Sequence, residues 1–189
     1  REQKYLTADE LELMMTTPLH NARLYIIRDL FLFSCYTGIS YGDMCLLTKD
    51  DLVTDENGTL WIRTSRKKTK VEYEVPLLEV PLHILSKYRD VEPNGKLLPM
   101  YCNSDVNKYL KTIATKCGIN RRIVFHAARH TYATEITLSH GVPLETVSKM
   151  LGHTRVDTTQ IYAKVTDDKI NADTKRLDNK ISERFTIAI

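Results

Sequence analysis

Residues 126–162 read HAARHTYATEITLSHGVPLETVSKMLGHTRVDTTQIY, and the rest of the chain can be laid out around them. His126 and Arg129 lie three apart in a run of good helix formers that meets no proline before Pro143, so both project from one helical face. His130 falls near the same edge, while Ala127, Ala128, Tyr132, Ala133, Ile136 and Leu138 supply apolar surface to bury. Gly141 reads as the stop of this helix and Pro143 as the start of the next, which presents Leu144, Val147 and Leu151 to a core. That second helix ends at Gly152, so His153 stands just past a helix end, where a side chain can be aimed at a neighbour. Arg155 follows, and Tyr162 sits on a further short helix. Imidazole, guanidinium and phenol are groups that respectively protonate, bind and attack an oxyanion such as a phosphate.

Upstream, Thr7-Ala-Asp-Glu10 is a capping box ahead of Leu11, Leu13, Met14 and Met15. A helix over 21–36 carries Leu24, Ile27, Leu30, Phe31 and Phe33 and is expected to be the most buried, with Thr37-Gly38 breaking it. Ser40 then caps a short helix to Leu47, with Asp43 as its box partner. Between Leu52 and Leu77 the hydrophobic period changes to two. Asn57-Gly58 marks one hairpin turn, residues 63–70 form the tip of a second, and Val71, Tyr73 and Val75 share a face of the returning strand. Amphipathic helices are predicted over 82–88 and 104–117. The fold class expected is therefore mainly α with one small three-stranded antiparallel sheet (α+β).

At 189 residues and 42% hydrophobic, the chain is one domain with a real core. A net charge of +3 is compatible with a nucleic-acid partner but would not by itself suggest one. Cys35, Cys45, Cys102 and Cys117 form no Cys-x-x-Cys pair and read as buried free thiols of a reducing compartment. No apolar run approaches the roughly 18 residues of a membrane span, and no signal peptide is visible. The charged segment 167–180 has Ile170 and Leu177, with Ile181 just beyond, at helical spacing and little else to anchor it. His126, His130 and His153 as zinc ligands are disfavoured, because no Glu follows His126 as in His-Glu-x-x-His. His83 and His140 read as ordinary surface histidines.

HAARHTYAT followed by LGHTRVDTTQIY resembles the C-terminal signature of the tyrosine recombinases, the phage-type integrases: His-x-x-Arg, then Leu-Gly-His, then Tyr nine residues on. His126, Arg129, His153 and Tyr162 match it in order and spacing. The resemblance implies the recombinase catalytic-domain fold and an integrase of a mobile element, such as a conjugative transposon. In such an enzyme Tyr162 attacks a phosphodiester of double-stranded DNA to form a 3′-phosphotyrosyl link. It further implies His126 as base or proton relay, Arg129 holding the non-bridging oxygens and His153 donating to the same phosphate. Neither metal nor cofactor is required. Assembly is expected as a tetrameric synapse on DNA from a monomer in isolation, with the tail from Asp167 docking on another protomer. Residues 1–189, beginning at Arg1 without a methionine, are expected to be a C-terminal fragment of a longer integrase lacking its N-terminal DNA-binding domains. The expected location is the bacterial cytoplasm, on DNA.

The tip RTSRKKTK, 63–70, holds five cations in eight residues. Alone it reads as a solvated turn; beside the signature it reads as a finger laid along DNA. The resemblance makes one of its lysines the general acid toward the leaving 5′ oxygen, and Lys68, with Val75-Pro76 downstream, fits best, ahead of Lys67 and Lys70. One position departs from the family: Thr37-Gly38-Ile39-Ser40 has serine where the pattern has its first arginine. A hydroxyl brings no charge and one donor in place of a planar fork of five. Arg66, expected to share a strand face with Lys68, is the first candidate to supply that charge, and Arg28 the second. The third possibility is a binding module with impaired cleavage. Independently of Ser40, the resemblance also admits strand relaxation as in the related type IB topoisomerases, which share tyrosine chemistry. Ser40, Arg66, His130, Lys67 and Lys70 are thus the candidate DNA contacts.

Overall fold

Asn21 accepts from the N–H of Arg23 at 2.8 Å and so caps α2 (Ala22–Thr37), the helix that the others surround. The computed structural model describes residues 4–90, 95–163 and 167–183, with side chains from 170 onward in the last stretch. Phe31 and Phe33 are fully buried on α2, each contributing on the order of 1.5–3 kcal/mol by leaving water. Around it lie α1 (Ala8–Thr16), α4 (Glu79–Tyr88), α5 (Asn103–Lys116) and α6 (Ala127–Thr131). Both bonds of the Thr7/Glu10 capping box are made.

The sheet has the expected form. Strands β1 (Leu52–Thr54), β2 (Leu60–Ser65) and β3 (Glu72–Pro76) are antiparallel in the order β1-β2-β3, with Ile62 opposite Leu52 on one side and Val75 on the other. Ile62, Tyr73 and Val75 turn inward, and β3 packs on α7 (Leu144–Met150). β2 stops at Ser65, and residues 66–70 form a tight turn closed by Arg66 N–H to Val71 O at 2.8 Å and Lys70 N–H to Arg66 O at 2.8 Å. Arg66 and Lys68 therefore do not share a strand face, because a turn does not keep a period of two.

Several boundaries differ from expectation. The helix after Ser40, α3, spans only Tyr41–Met44. The segment after Arg129 is not one α-helix: α6 widens into a π-helical turn over Tyr132–Thr137, where Thr137 Oγ1 bonds to Tyr132 O and Ala133 O. Gly141 then ends it in the left-handed conformation, and Pro143 precedes α7. α8 (Asp157–Gln160) leads to Tyr162, and α9 (Asp167–Ser182) lies exposed along its described side chains. Of the four cysteines Cys35 and Cys117 are buried, while Cys45 is half-buried and Cys102 exposed, so the expectation of buried thiols holds for two. No helix among the described residues is long and apolar enough to cross a membrane.

Candidate active site around Arg129

Arg129 is 3% exposed, and its guanidinium is held by three partners: Nη1 donates to Gly38 O at 2.7 Å, and Nη2 meets Leu151 O at 2.5 Å and His153 Nε2 at 3.0 Å. The chain ends of α2 and α7 thus fix this cation by two backbone carbonyls. Gly38 has φ +71°, and a Cβ there would lie 2.4 Å from Tyr132 Cδ1, so only glycine brings its carbonyl to Arg129. An arginine nitrogen can only donate, so His153 Nε2 accepts and its proton sits on Nδ1, which donates to Thr159 Oγ1 at 2.8 Å. Thr159, which orients His153, carried no signal in the sequence beyond standing three residues before Tyr162.

Tyr162 is 8% exposed, and its phenol is close enough to Arg129 to feel the guanidinium's charge. Burial pushes the phenol pKa up, while Arg129 and Arg66 pull it down. The rings of Tyr162, His130 and His126 make two successive edge-to-face contacts, with centroids 5.0 and 4.8 Å apart. His130 therefore stands between the phenol and His126. Burial and the neighbouring charges hold all three histidines neutral. His130 drops to about 4 through burial, His126 and Lys4, and His153 to about 4 through burial, Arg129 and Arg66. His126, exposed at its rim yet desolvated on its packed side, is also lowered, by that desolvation, then Arg129 and Arg66. Burial, then Arg66, lowers Arg129 itself to about 10, which leaves it charged at neutral pH.

Arg66 reaches this group through Asp43. The Asp43 carboxylate pairs with Arg66 Nη1 at 2.9 Å and accepts from Lys67 N–H at 2.9 Å and Tyr73 Oη at 3.2 Å. Ser40 caps α3 by accepting from Asp43 N–H at 3.4 Å, but the Asp43 side chain does not return the bond expected of a capping box. It turns to the hairpin instead, a role the sequence did not reveal. Gly152, at φ +63°, lets Arg66 pass: a Cβ there would be 2.9 Å from Arg66 Cγ. Arg28 is elsewhere. Its Nη1 donates to Thr17 O at 2.8 Å behind α1, which corrects its candidacy. Arg155 also lies outside, paired with Asp157 on the surface.

A cavity of about 350 Å³ opens beside Arg129, lined in part by Ser40, Gly42, Asn103, Asn107 and His126. Lys67 passes beside it, its Cδ near Gly42, while Lys68 and Lys70 are exposed at the hairpin tip. No cluster of metal-ligating side chains occurs among the described residues.

The phage integrase family profile matches residues 4–169, nearly the whole chain. The chain belongs to the phage integrase family. Relatives of this integrase domain include a tyrosine recombinase of Pseudothermotoga lettingae, 28% identical over 182 residues, covering 92% of this chain and 60% of that one. Another is the tyrosine recombinase XerD of Listeria monocytogenes serotype 4b, 31% identical over 179 residues, with coverages of 86% and 58%. This integrase domain thus spans about three fifths of the length of those relatives. The crystal structure of XerA recombinase shares its fold at a TM-score of 0.70 and 24% identity, over 97% of this chain and 66% of that one. So does XerH site-specific recombinase, solved bound to its difH substrate before cleavage, at 0.73 and 21% over 91% and 54%.

Proposed function

We propose that this integrase domain is the C-terminal catalytic part of a site-specific recombinase that cuts and rejoins double-stranded DNA through Tyr162. The observation that carries the reading is one buried guanidinium, Arg129, bonded to His153 Nε2, with the Tyr162 phenol, packed on His130, and a second cation, Arg66, within electrostatic reach of it. XerH bound to difH and a lambda integrase dimer bound to a core site lend support for DNA as partner.

In the proposed reaction a backbone phosphate enters over Arg129 and takes the bonding position now filled by His153. Tyr162 Oη forms a bond to phosphorus, the bond to the 5′ oxygen breaks, and the phenolic proton is relayed by way of His130, which accepts at one ring nitrogen and gives up its proton from the other, to neutral His126. Arg129 and Arg66 oppose the charge that grows on the non-bridging oxygens, Arg66 standing in for the arginine replaced by Ser40. His153 gains a proton as the anion arrives and donates from Nε2, with Thr159 keeping its ring in place. Lys68 folds in from the hairpin tip and protonates the 5′ oxygen. The covalent link keeps the phosphodiester energy for the reverse attack, so neither metal nor nucleotide is called upon. Assembly into a tetramer on DNA would use α9, whose Ile170, Leu177 and Ile181 are all exposed.

Incubation with a nicked suicide duplex tests this. A covalent protein-DNA adduct that vanishes in Tyr162→Phe supports cleavage; DNA binding with no adduct under any condition supports the binding-only alternative raised by Ser40. Relaxation of supercoils by protein lacking a matched second site would identify topoisomerase-like chemistry instead.

A further inference from the structure

The segment ahead of α1 is tied to the helix that carries Arg129. Leu6, fully buried, donates its N–H to Thr131 Oγ1 at 2.9 Å, and Thr131 is next to His130 and two residues from Arg129. Arg121 fastens the same segment from the side, its Nη2 donating to Tyr5 O at 2.6 Å and to Glu10 Oε2 at 2.6 Å. Glu10 in turn accepts from the N–H of Thr7. Residues 5–10 therefore form one hydrogen-bonded strap against α6, and Lys4 is its leading end.

Lys4 is exposed, so nothing in the core requires it. Among the described residues no carboxylate pairs with it. The bond of Leu6 to Thr131 nonetheless brings the Lys4 backbone to the α6 side of the imidazole pair, and its charge lowers both His126 and His130. Lys4, Arg66 and Arg129 thus bear on one patch from three separate segments, and Asp43 is the one carboxylate seen to pair with any of them among the described residues. Cations gathered this way repel one another unless an anion joins them. A lysine already positioned by its backbone also loses less freedom when it binds one.

We propose that Lys4 is a phosphate-binding residue at the rim of the site, meeting a DNA backbone phosphate next to the one taken by Arg129. This rests on the recombinase reading. Its role is to seat the strand, with its backbone set by the strap.

The test is the salt dependence of binding of the 189-residue chain to a fluorescein-labelled 30-base-pair duplex of arbitrary sequence. One phosphate contact accounts for about 0.9 in the slope of log affinity against log salt. Lys4→Ala should lower that slope by about this amount, weaken binding several-fold at fixed salt and leave the thermal midpoint in place. Lys4→Arg should keep the slope. Lys116→Ala, at the far end of α5 and about 14 Å along the helix from Asn107 in the cavity wall, should also keep it. An unchanged slope in Lys4→Ala, while the parent chain binds with a normal salt slope, overturns the assignment and leaves the recombinase reading standing. An equal loss in Lys116→Ala overturns it too, by showing a general charge effect. A parent chain that binds no duplex at any salt removes the recombinase reading itself.

Discussion

Replacing Arg66 by alanine takes away a cation that the structure sets beside Arg129, and it strands the carboxylate that held it. Asp43 has a side chain only 3% exposed, and without Arg66 it keeps two neutral donors, Lys67 N–H and Tyr73 Oη. Breaking a buried pair in this way costs about 3–5 kcal/mol of folding stability. The lower end applies here, since the Arg66 side chain is 17% exposed and water reaches part of the pair. The effect on cleavage is separate: loss of one preplaced charge facing the phosphate should slow adduct formation roughly 10²- to 10³-fold, or about 2.7–4 kcal/mol. The double variant Arg66→Ala with Asp43→Asn divides the two effects. An amide needs no counter-ion, so the urea midpoint should recover much of its loss while adduct formation stays low. Adduct appearing on a nicked duplex is followed by denaturing gel, and stability by urea titration. Folded Arg66→Ala protein that cleaves near the parent rate would refute the reasoning, and the charge missing at Ser40 would then have no substitute in this site.

Lys68→Ala should lose cleavage of ordinary DNA yet cleave a duplex whose leaving 5′ oxygen is replaced by sulfur, because a thiol with a pKa of about 8.5 departs without a proton; rescue in Lys67→Ala instead would move the role by one residue. His130 and His153 titrate near 4 when folded, below the ordinary value of about 6.5, so the stability they contribute is present above pH 6.5 and lost as pH falls toward 4. The urea midpoint should hold from pH 8 to 7 and decline below 6.5, and His153→Gln should flatten that decline. Gly38→Ala combines left-handed strain with a contact of 2.4 Å to Tyr132, and should destabilise by about 2–4 kcal/mol and release the carbonyl that seats Arg129. Removing residues 167–189 should reduce assembly on DNA, measured by gel shift, more than it lowers the melting temperature; a large thermal loss would contradict a role in docking.

The candidate site residues were named from the family signature, and the local frame that carries them was legible from short-range chemistry. The His126/Arg129 spacing, the stop at Gly152 before His153 and the hairpin signal at Asn57-Gly58 are short-range features that backbone sterics and helical period dictate. The same holds for the Thr7/Glu10 box and for α2. What short-range rules could not give was where the long side chains end. Asp43 has the sequence position of a capping partner, yet its carboxylate goes to Arg66 and the hairpin, 23 residues away, because a buried charge is held by whichever cation and donors the fold brings to it. Arg66 and Arg28 were equal in kind as substitutes for the charge absent at Ser40. Only packing sends one toward Arg129 and the other to the carbonyls behind α1. The strap that carries Lys4 toward the rim joins Leu6 to Thr131, 125 residues apart, and no short window contains both sides of that contact. Within residues 126–162 the residues are all in view, yet only the packing of separate helices sets His130 between Tyr162 and His126 and turns Thr159 toward His153.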